Sequence, residues 1–170
     1  CGLLDYLGYI KQWDSEQFPY DTVCIDSITD FAASELQHLK RIPTKQGNQA
    51  HGQQAFYAVQ EKVLEICRAI RHIDKHFYVT AHLGSGNIAG TPVSLPALPG
   101  KALDEQIAYQ FDQIILAAPN EEDNPDMPNV WHTKGGTYYV GKDSSNGSLA
   151  AIEKPDIGNI INKIYGDSTQ

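Results

Sequence analysis

The first residues of this chain able to do chemistry lie in Tyr20-Asp21-Thr22-Val23-Cys24-Ile25-Asp26-Ser27-Ile28-Thr29-Asp30-Phe31. The apolar run Val23 to Ile25 stops abruptly at a carboxylate and a hydroxyl. Short apolar runs of this kind predict strands buried on both faces of a parallel sheet. A carboxylate at the carboxyl end of such a strand stands where open α/β sheets bind ligands. Asp26, Ser27 and Thr29 are also the residue types that cap a following helix, because their side-chain oxygens accept from its first free N–H groups. The local sequence leaves both roles open.

A second apolar run, Phe77-Tyr78-Val79-Thr80-Ala81-His82, ends in a histidine. A neutral imidazole both donates and accepts, so it can report on an anion beside it; a histidine simply hydrogen-bonded at a sheet edge is the alternative. Residues Leu83 to Gly100 then hold four glycines and three prolines in eighteen positions, which predicts an irregular loop of functional length. Within it, Gly84-Ser85-Gly86-Asn87-Ile88-Ala89-Gly90 only superficially matches a dinucleotide fingerprint. That fingerprint must open a helix, and Thr91-Pro92-Val93-Ser94-Leu95-Pro96 cannot be one. Three widely spaced cysteines form no CxxC pair and six histidines show no HExxH spacing, so no metal centre of those types is expected. No GxSxG elbow occurs either, which disfavours a nucleophile-based hydrolase.

These residues need a scaffold. Leu3, Leu4, Leu7 and Ile10 have helical spacing within Gly2 to Trp13. A helix capped at Thr29 or Asp30 is expected to run to about Arg41, stopped by Pro43. Thr44 to Gly52 reads as a surface loop. The clearest helix spans about Gln53 to Ile73, with Phe56, Val59, Val63, Ile66, Ile70 and Ile73 forming one apolar stripe. A further helix is expected over Lys101 to Gln110 and a third buried strand over Phe111 to Ala118. Pro119 to Pro128 is an acidic loop. Two strands, Val130 to Thr133 and Thr137 to Lys142, are expected to be joined by Gly135-Gly136, with a tight turn at Asn146-Gly147 before Leu149 to Ile152. Pro155 should open a final helix ending at Gly166. This order predicts one α/β domain over residues 1–170: a mostly parallel central sheet of Val23–Ile25, Tyr78–Ala81 and Ile114–Leu116 in three layers, followed by an antiparallel β meander and a helix.

Composition narrows the functions. The 170 residues carry a net charge of −8 and a sequence pI of about 5.1, so the chain as a whole lacks the basic surface of a strong non-specific nucleic-acid binder. Any such contact must be local or built by oligomerisation. No apolar run reaches the ~20 residues of a membrane span, and reduced cysteines with no signal segment suit the cytoplasm.

Taken together these segments resemble the RecA-like branch of P-loop ATPases, in particular its phage-encoded ATP-binding recombination proteins. The resemblance is carried by Cys24-Ile25-Asp26-Ser27, similar to that branch's Walker B strand, and by Asn48-Gln49-Ala50-His51-Gly52-Gln53-Gln54 opening the long helix. It is carried also by the strand ending Val79-Thr80-Ala81-His82, and by Leu98-Pro99-Gly100-Lys101 through Phe111-Asp112 to Tyr139-Val140-Gly141-Lys142-Asp143. It implies ATP and Mg2+ as cofactors, with Asp26 holding the ion through water and Ser27 near the nucleotide. His82 is implied as a γ-phosphate sensor, and Lys142 as a group reaching a neighbour's nucleotide across a subunit boundary. The loop after the sensor strand would face single-stranded DNA through Ser85, Asn87 and Lys101, in a homo-oligomer serving phage recombination or replication. The P-loop motif GxxxxGK[ST] is absent from the 170 residues. The branch places it, with a catalytic glutamate, ahead of the Walker B strand, and since the chain opens on Cys1 an upstream segment is expected to supply both. The alternative is a non-catalytic binding or assembly module with the same core. Ser144 and Ser145 stand where relatives often carry a basic residue.

Overall fold

The computed structural model describes residues 2–13, 16–42, 52–88, 90–100, 103, 106, 107, 109–122 and 124–166. Thr44 to His51, Lys101 and much of the helix expected before Gln110 lie outside the described residues. The chain divides into two compact units, Cys1–Ser85 with Pro96–Gln110, and Gly86–Leu95 with Phe111–Gln170.

The first unit is built on helices α1 (Leu3–Gln12), α2 (Ile28–Arg41) and α3 (Gly52–Ile70) and strands β1 (Thr22–Ile25) and β2 (His76–Val79). The stripe expected on α3 is buried at Val59, Val63, Ile66 and Ile70, joined by Ala55, Leu64 and Cys67, and it packs against α1 and α2. Each fully buried Val, Leu or Ile is worth roughly 1.5–3 kcal/mol, so this face is the main adhesive of the unit. Phe56 falls outside the stripe: it is exposed, with the Lys40 ammonium 5.2 Å from its ring centroid. Cys67, deep in this face, has its thiol pushed up to about 11, first by burial, which makes it an inert core residue. Strands β1 and β2 pair in parallel, Val23 opposite Phe77, Cys24 opposite Tyr78 and Ile25 opposite Val79.

Strands β3 (Leu83–Ile88) and β4 (Thr91–Pro96) pair with each other, where an irregular loop was expected. The glycines that suggested a loop serve close strand approach instead. A Cβ on Gly86 would sit 2.5 Å from the Leu95 side chain, and one on Gly84 would sit 3.0 Å from the Ala97 backbone. Gly90 takes φ +89° in the turn, and its N–H donates to Asn87 Oδ1 at 2.7 Å.

The second unit also contains β5 (Gln113–Ile114), β6 (Leu116–Pro119), β7 (Asn129–His132), β8 (Lys142–Asp143), β9 (Ile152–Glu153) and α4 (Ile157–Tyr165). Here the expectation of one mostly parallel sheet is corrected. Among the described residues, Ile114 and Leu116 do not join β1 and β2: β5 pairs antiparallel with β8, and β6 lies antiparallel in the order β6-β7-β9. The run Phe111 to Ala118 breaks at Ile115, and β6 alternates half-buried and exposed residues. That is the pattern of a one-sided antiparallel strand rather than a doubly covered parallel one. The second reversal also moves: Gly136 bridges Tyr139, so the chain turns at Thr137-Tyr138 rather than at Gly135-Gly136. Asn146 and Gly147 do form the expected tight turn, at φ 55° and 94°, signs that suit a type I′ turn. The Asp156 side chain caps α4 by accepting from Asn159 N–H at 3.0 Å. Among the described residues no helix is long and apolar enough to cross a membrane.

Candidate functional site

The parallel register builds the site. With Ile25 opposite Val79, the residues that leave the two strands side by side are Asp26 and Thr80. Thr80 N–H donates to Ile25 C=O at 3.0 Å, and Ile28 N–H donates to Thr80 C=O at 3.0 Å. The strand exits are thereby stitched together beyond the last regular pair. Held there, the Thr80 hydroxyl donates to Asp26 Oδ1. The Asp26 side chain is exposed, and the peptide it forms with Ser27 is cis.

Ser27 begins α2. Its Oγ accepts from Asp30 N–H at 3.2 Å and donates to Asp30 Oδ2 at 2.6 Å, a helix N-cap closed by its own first turn. The buried Ser27 therefore performs the capping role weighed above. Asp30 also faces His82, whose Nε2 lies 3.3 Å from its Oδ2, while His82 N–H donates to Thr29 Oγ1 at 3.0 Å. Five polar side chains, from Asp26, Ser27, Thr29, Asp30 and Thr80, thus line two adjacent strand exits, with His82 joined to them through Thr29 and Asp30. The N-terminus of α2 opens into this cluster, and its dipole favours anionic groups nearby. Behind it on β2, the Tyr78 hydroxyl is pushed up by burial first, then by Cys24 and Asp26, so the phenol stays protonated at neutral pH.

Asp26, Ser27 and His82 are therefore brought into one hydrogen-bonded neighbourhood, with a role for Thr80 that the sequence reading did not single out. The signal for Thr80 was available: two parallel strands of equal length, each ending in a polar residue, place those residues together. Ser85 and Asn87 are exposed on β3, and Asn87 shapes the hairpin turn. Lys101 lies outside the described residues. Lys142 sits on β8 in the second unit, where its ammonium donates to Phe111 C=O at 2.6 Å. Its neighbour Asp143 is pulled up by partial burial but held below the usual carboxylate range by hydrogen bonds from Ser145 and Gln113 and by the charge of Lys134. The stretch from Gly136 to Lys142 has the GxxxxGK spacing, yet Asp143 replaces the hydroxyl residue. It folds as a tight turn running into β8 and opens no helix, so it has no helix N-terminus with which to cradle phosphates.

A family model described as an AAA domain matches residues 3–145. No curated protein matches the chain, and no solved structure does.

Proposed function

The chain belongs to the AAA domain family, a nucleotide-binding ATPase domain of the P-loop type, and from that premise we propose that the cluster at the ends of β1 and β2 is the Walker B side of an ATP site. The observation that carries this is the exposed Asp26 carboxylate at a parallel strand end, fixed by the Thr80 hydroxyl. A strand-end carboxylate oriented by a neighbour, beside a helix N-terminus, is the arrangement that positions charge around phosphates.

The donor set fits Mg2+. Asp26 and Thr80 offer hard oxygens at the strand ends, which this ion prefers, while the Ser27 hydroxyl is taken up by Asp30. Among the described residues no three His, Cys, Asp or Glu side chains gather into a metal cage, which suits an ion held by one carboxylate through water and otherwise by substrate phosphates. When bound, Mg2+ neutralises charge on the β- and γ-phosphates. Asp26 would hold the ion through water, and Thr80 orients Asp26. His82 is the candidate γ-phosphate sensor, free to exchange Asp30 for a phosphate oxygen because both side chains are well exposed, at 61% and 67%. Lys142 is the candidate group acting on a neighbouring subunit's nucleotide.

The finer reading is a RecA-like core, with β1 and β2 as its parallel part, that couples ATP turnover to single-stranded DNA in phage recombination or replication as a homo-oligomer. Ser85, Asn87 and Lys101 are the DNA contacts it implies. A second reading is a binding or assembly module with the same core and no turnover. Magnesium-dependent ATP hydrolysis by the full-length protein, with and without single-stranded DNA, separates them. Stimulated turnover supports the ATPase, and none under any condition supports the module. Calorimetry on the 170-residue chain alone should show ATP binding weaker than micromolar; micromolar binding there would mean that phosphates are held by residues other than a P-loop.

A further inference from the structure

The β3–β4 hairpin is poorly equipped for the nucleic-acid role just proposed. Residues 83–100 contain no lysine, no arginine and no aromatic ring, so by themselves they supply neither counterion release nor base stacking. Both are present on the segment bonded to it. Ser94 N–H donates to Tyr138 C=O at 2.6 Å, and Val140 N–H donates to Ser94 C=O at 3.0 Å. Ser94 thus forms a parallel bridge with Tyr139, and the turn Gly136–Tyr139 becomes a third member of the hairpin's edge.

We propose that this turn and β4 together form a stacking site for single-stranded nucleic acid, with the Tyr138 ring as the base platform and Lys134 as a phosphate contact. The inference deepens the single-stranded DNA reading above and rests on it. Gly136 N–H donates to Tyr139 C=O at 3.2 Å and closes the turn. Tyr139 is folded inward, its ring centroid 5.4 Å from that of His132. Its ring lies over Gly136, where a Cβ would come within 2.5 Å of it. The next residue back is sent the other way: Tyr138 is 69% exposed at the tip of the turn. A tyrosine loses little rotamer freedom on stacking and meets any base with its π face. Lys134 is exposed at the foot of the same turn. Its charge is partly matched by Asp143, so stacking dominates and the ionic contribution is small.

The test is fluorescence anisotropy of a labelled oligo(dT) single strand with the full-length protein, without nucleotide, over a range of salt. Tyr138→Ala should weaken binding by roughly ten- to a hundredfold with an unchanged salt slope, the loss of one base–ring stack. Tyr138→Phe should bind as the parent does. Lys134→Ala should flatten the log–log salt slope by less than about 0.7, the value for one phosphate of a single strand, because Asp143 already matches part of its charge. Tyr109→Ala is the control, since Tyr109 is 77% exposed and is part of neither the turn nor β4. Normal binding by Tyr138→Ala, or an equal loss in Tyr109→Ala, overturns the site while leaving the DNA reading standing. No oligonucleotide binding by the parent overturns both, and leaves the ATP site to be judged by hydrolysis alone. An unchanged melting temperature for each variant shows that the loss is not one of folding.

Discussion

Two carboxylates in this molecule are held in opposite ways. Glu153, on β9, is 5% exposed; one oxygen accepts from Ala150 N–H at 2.9 Å and the other from the Lys163 ammonium at 2.6 Å. Both oxygens are engaged, and the partners come from the chain just before it and from α4. Asp26 is exposed, and the bond that fixes it is the Thr80 hydroxyl on Oδ1. A buried carboxylate must have its hydrogen bonds met internally or it costs stability. An exposed carboxylate held by a neutral donor keeps its charge and keeps an edge for a ligand. Glu153 is a clamp, and Asp26 is a site.

The comparison predicts that the two residues fail in different assays, and Asp26 should give the largest effect. In the full-length protein, Asp26→Asn should lower kcat for ATP hydrolysis on the order of a hundredfold or more, the scale of losing one fixed electrostatic group. The melting temperature should barely move, because an exposed amide can accept the Thr80 hydrogen bond as the carboxylate does. Unchanged turnover would return Asp26 to the ranks of structural residues.

Glu153→Gln should do the reverse, costing about 2 kcal/mol of stability with no direct effect on turnover, since it weakens the bond to Lys163 in a buried setting. The pH dependence has a definite sign. The Glu153 carboxyl is raised by burial but held below its ordinary value by Lys163 and by Ala150 N–H. A depressed folded pKa contributes stability that is full above the unfolded value, about 4.3, and is lost as pH falls through the folded one. Urea denaturation from pH 6 to pH 3 should show the parent losing stability over that window and the variant losing less. Equal losses would show that the clamp does not titrate as this geometry requires.

How legible was this in the chain? Asp26 at a strand end, the α3 stripe from Val59 to Ile70 and the Asn146-Gly147 turn were all readable, because each follows from a local period or a single conformational demand. The pairing partners were not. Phe111 to Ala118 is apolar enough for a parallel strand, and only its antiparallel neighbours show that it breaks at Ile115. Gly84 and Gly86 read as loop punctuation because the closeness of Leu95 and Ala97 is a tertiary fact. Thr80 carries no titratable group to set it apart in the chain, and only the register of β1 on β2 puts it directly beside Asp26.

Thr80 accordingly sharpens the comparison from the site's side. Thr80→Val keeps the shape and removes the donor, so kcat should fall about tenfold, less than for Asp26→Asn because charge is kept and only orientation is lost. Thr80→Ser should restore most of the activity. A drop in ATP affinity at constant kcat would instead place Thr80 on the substrate rather than on Asp26.

The smallest effect should come from Asp30, which looks at first like a second clamp. It accepts from Ser27 Oγ and faces His82, much as Glu153 serves Ala150 and Lys163. The difference is solvent. With the Asp30 and His82 side chains 67% and 61% exposed, water replaces either interaction at little cost. The N-cap itself survives Asp30→Ala, because the donor to Ser27 Oγ is a backbone N–H that alanine also has. What is lost is a first-turn negative charge, about 0.3–1 kcal/mol. The variant should therefore lose less than about 1 kcal/mol by urea denaturation, against about 2 kcal/mol for Glu153→Gln. A loss as large as that of Glu153→Gln would mean that the strand-end cluster is as tightly built as the clamp, and the contrast between clamp and site would collapse.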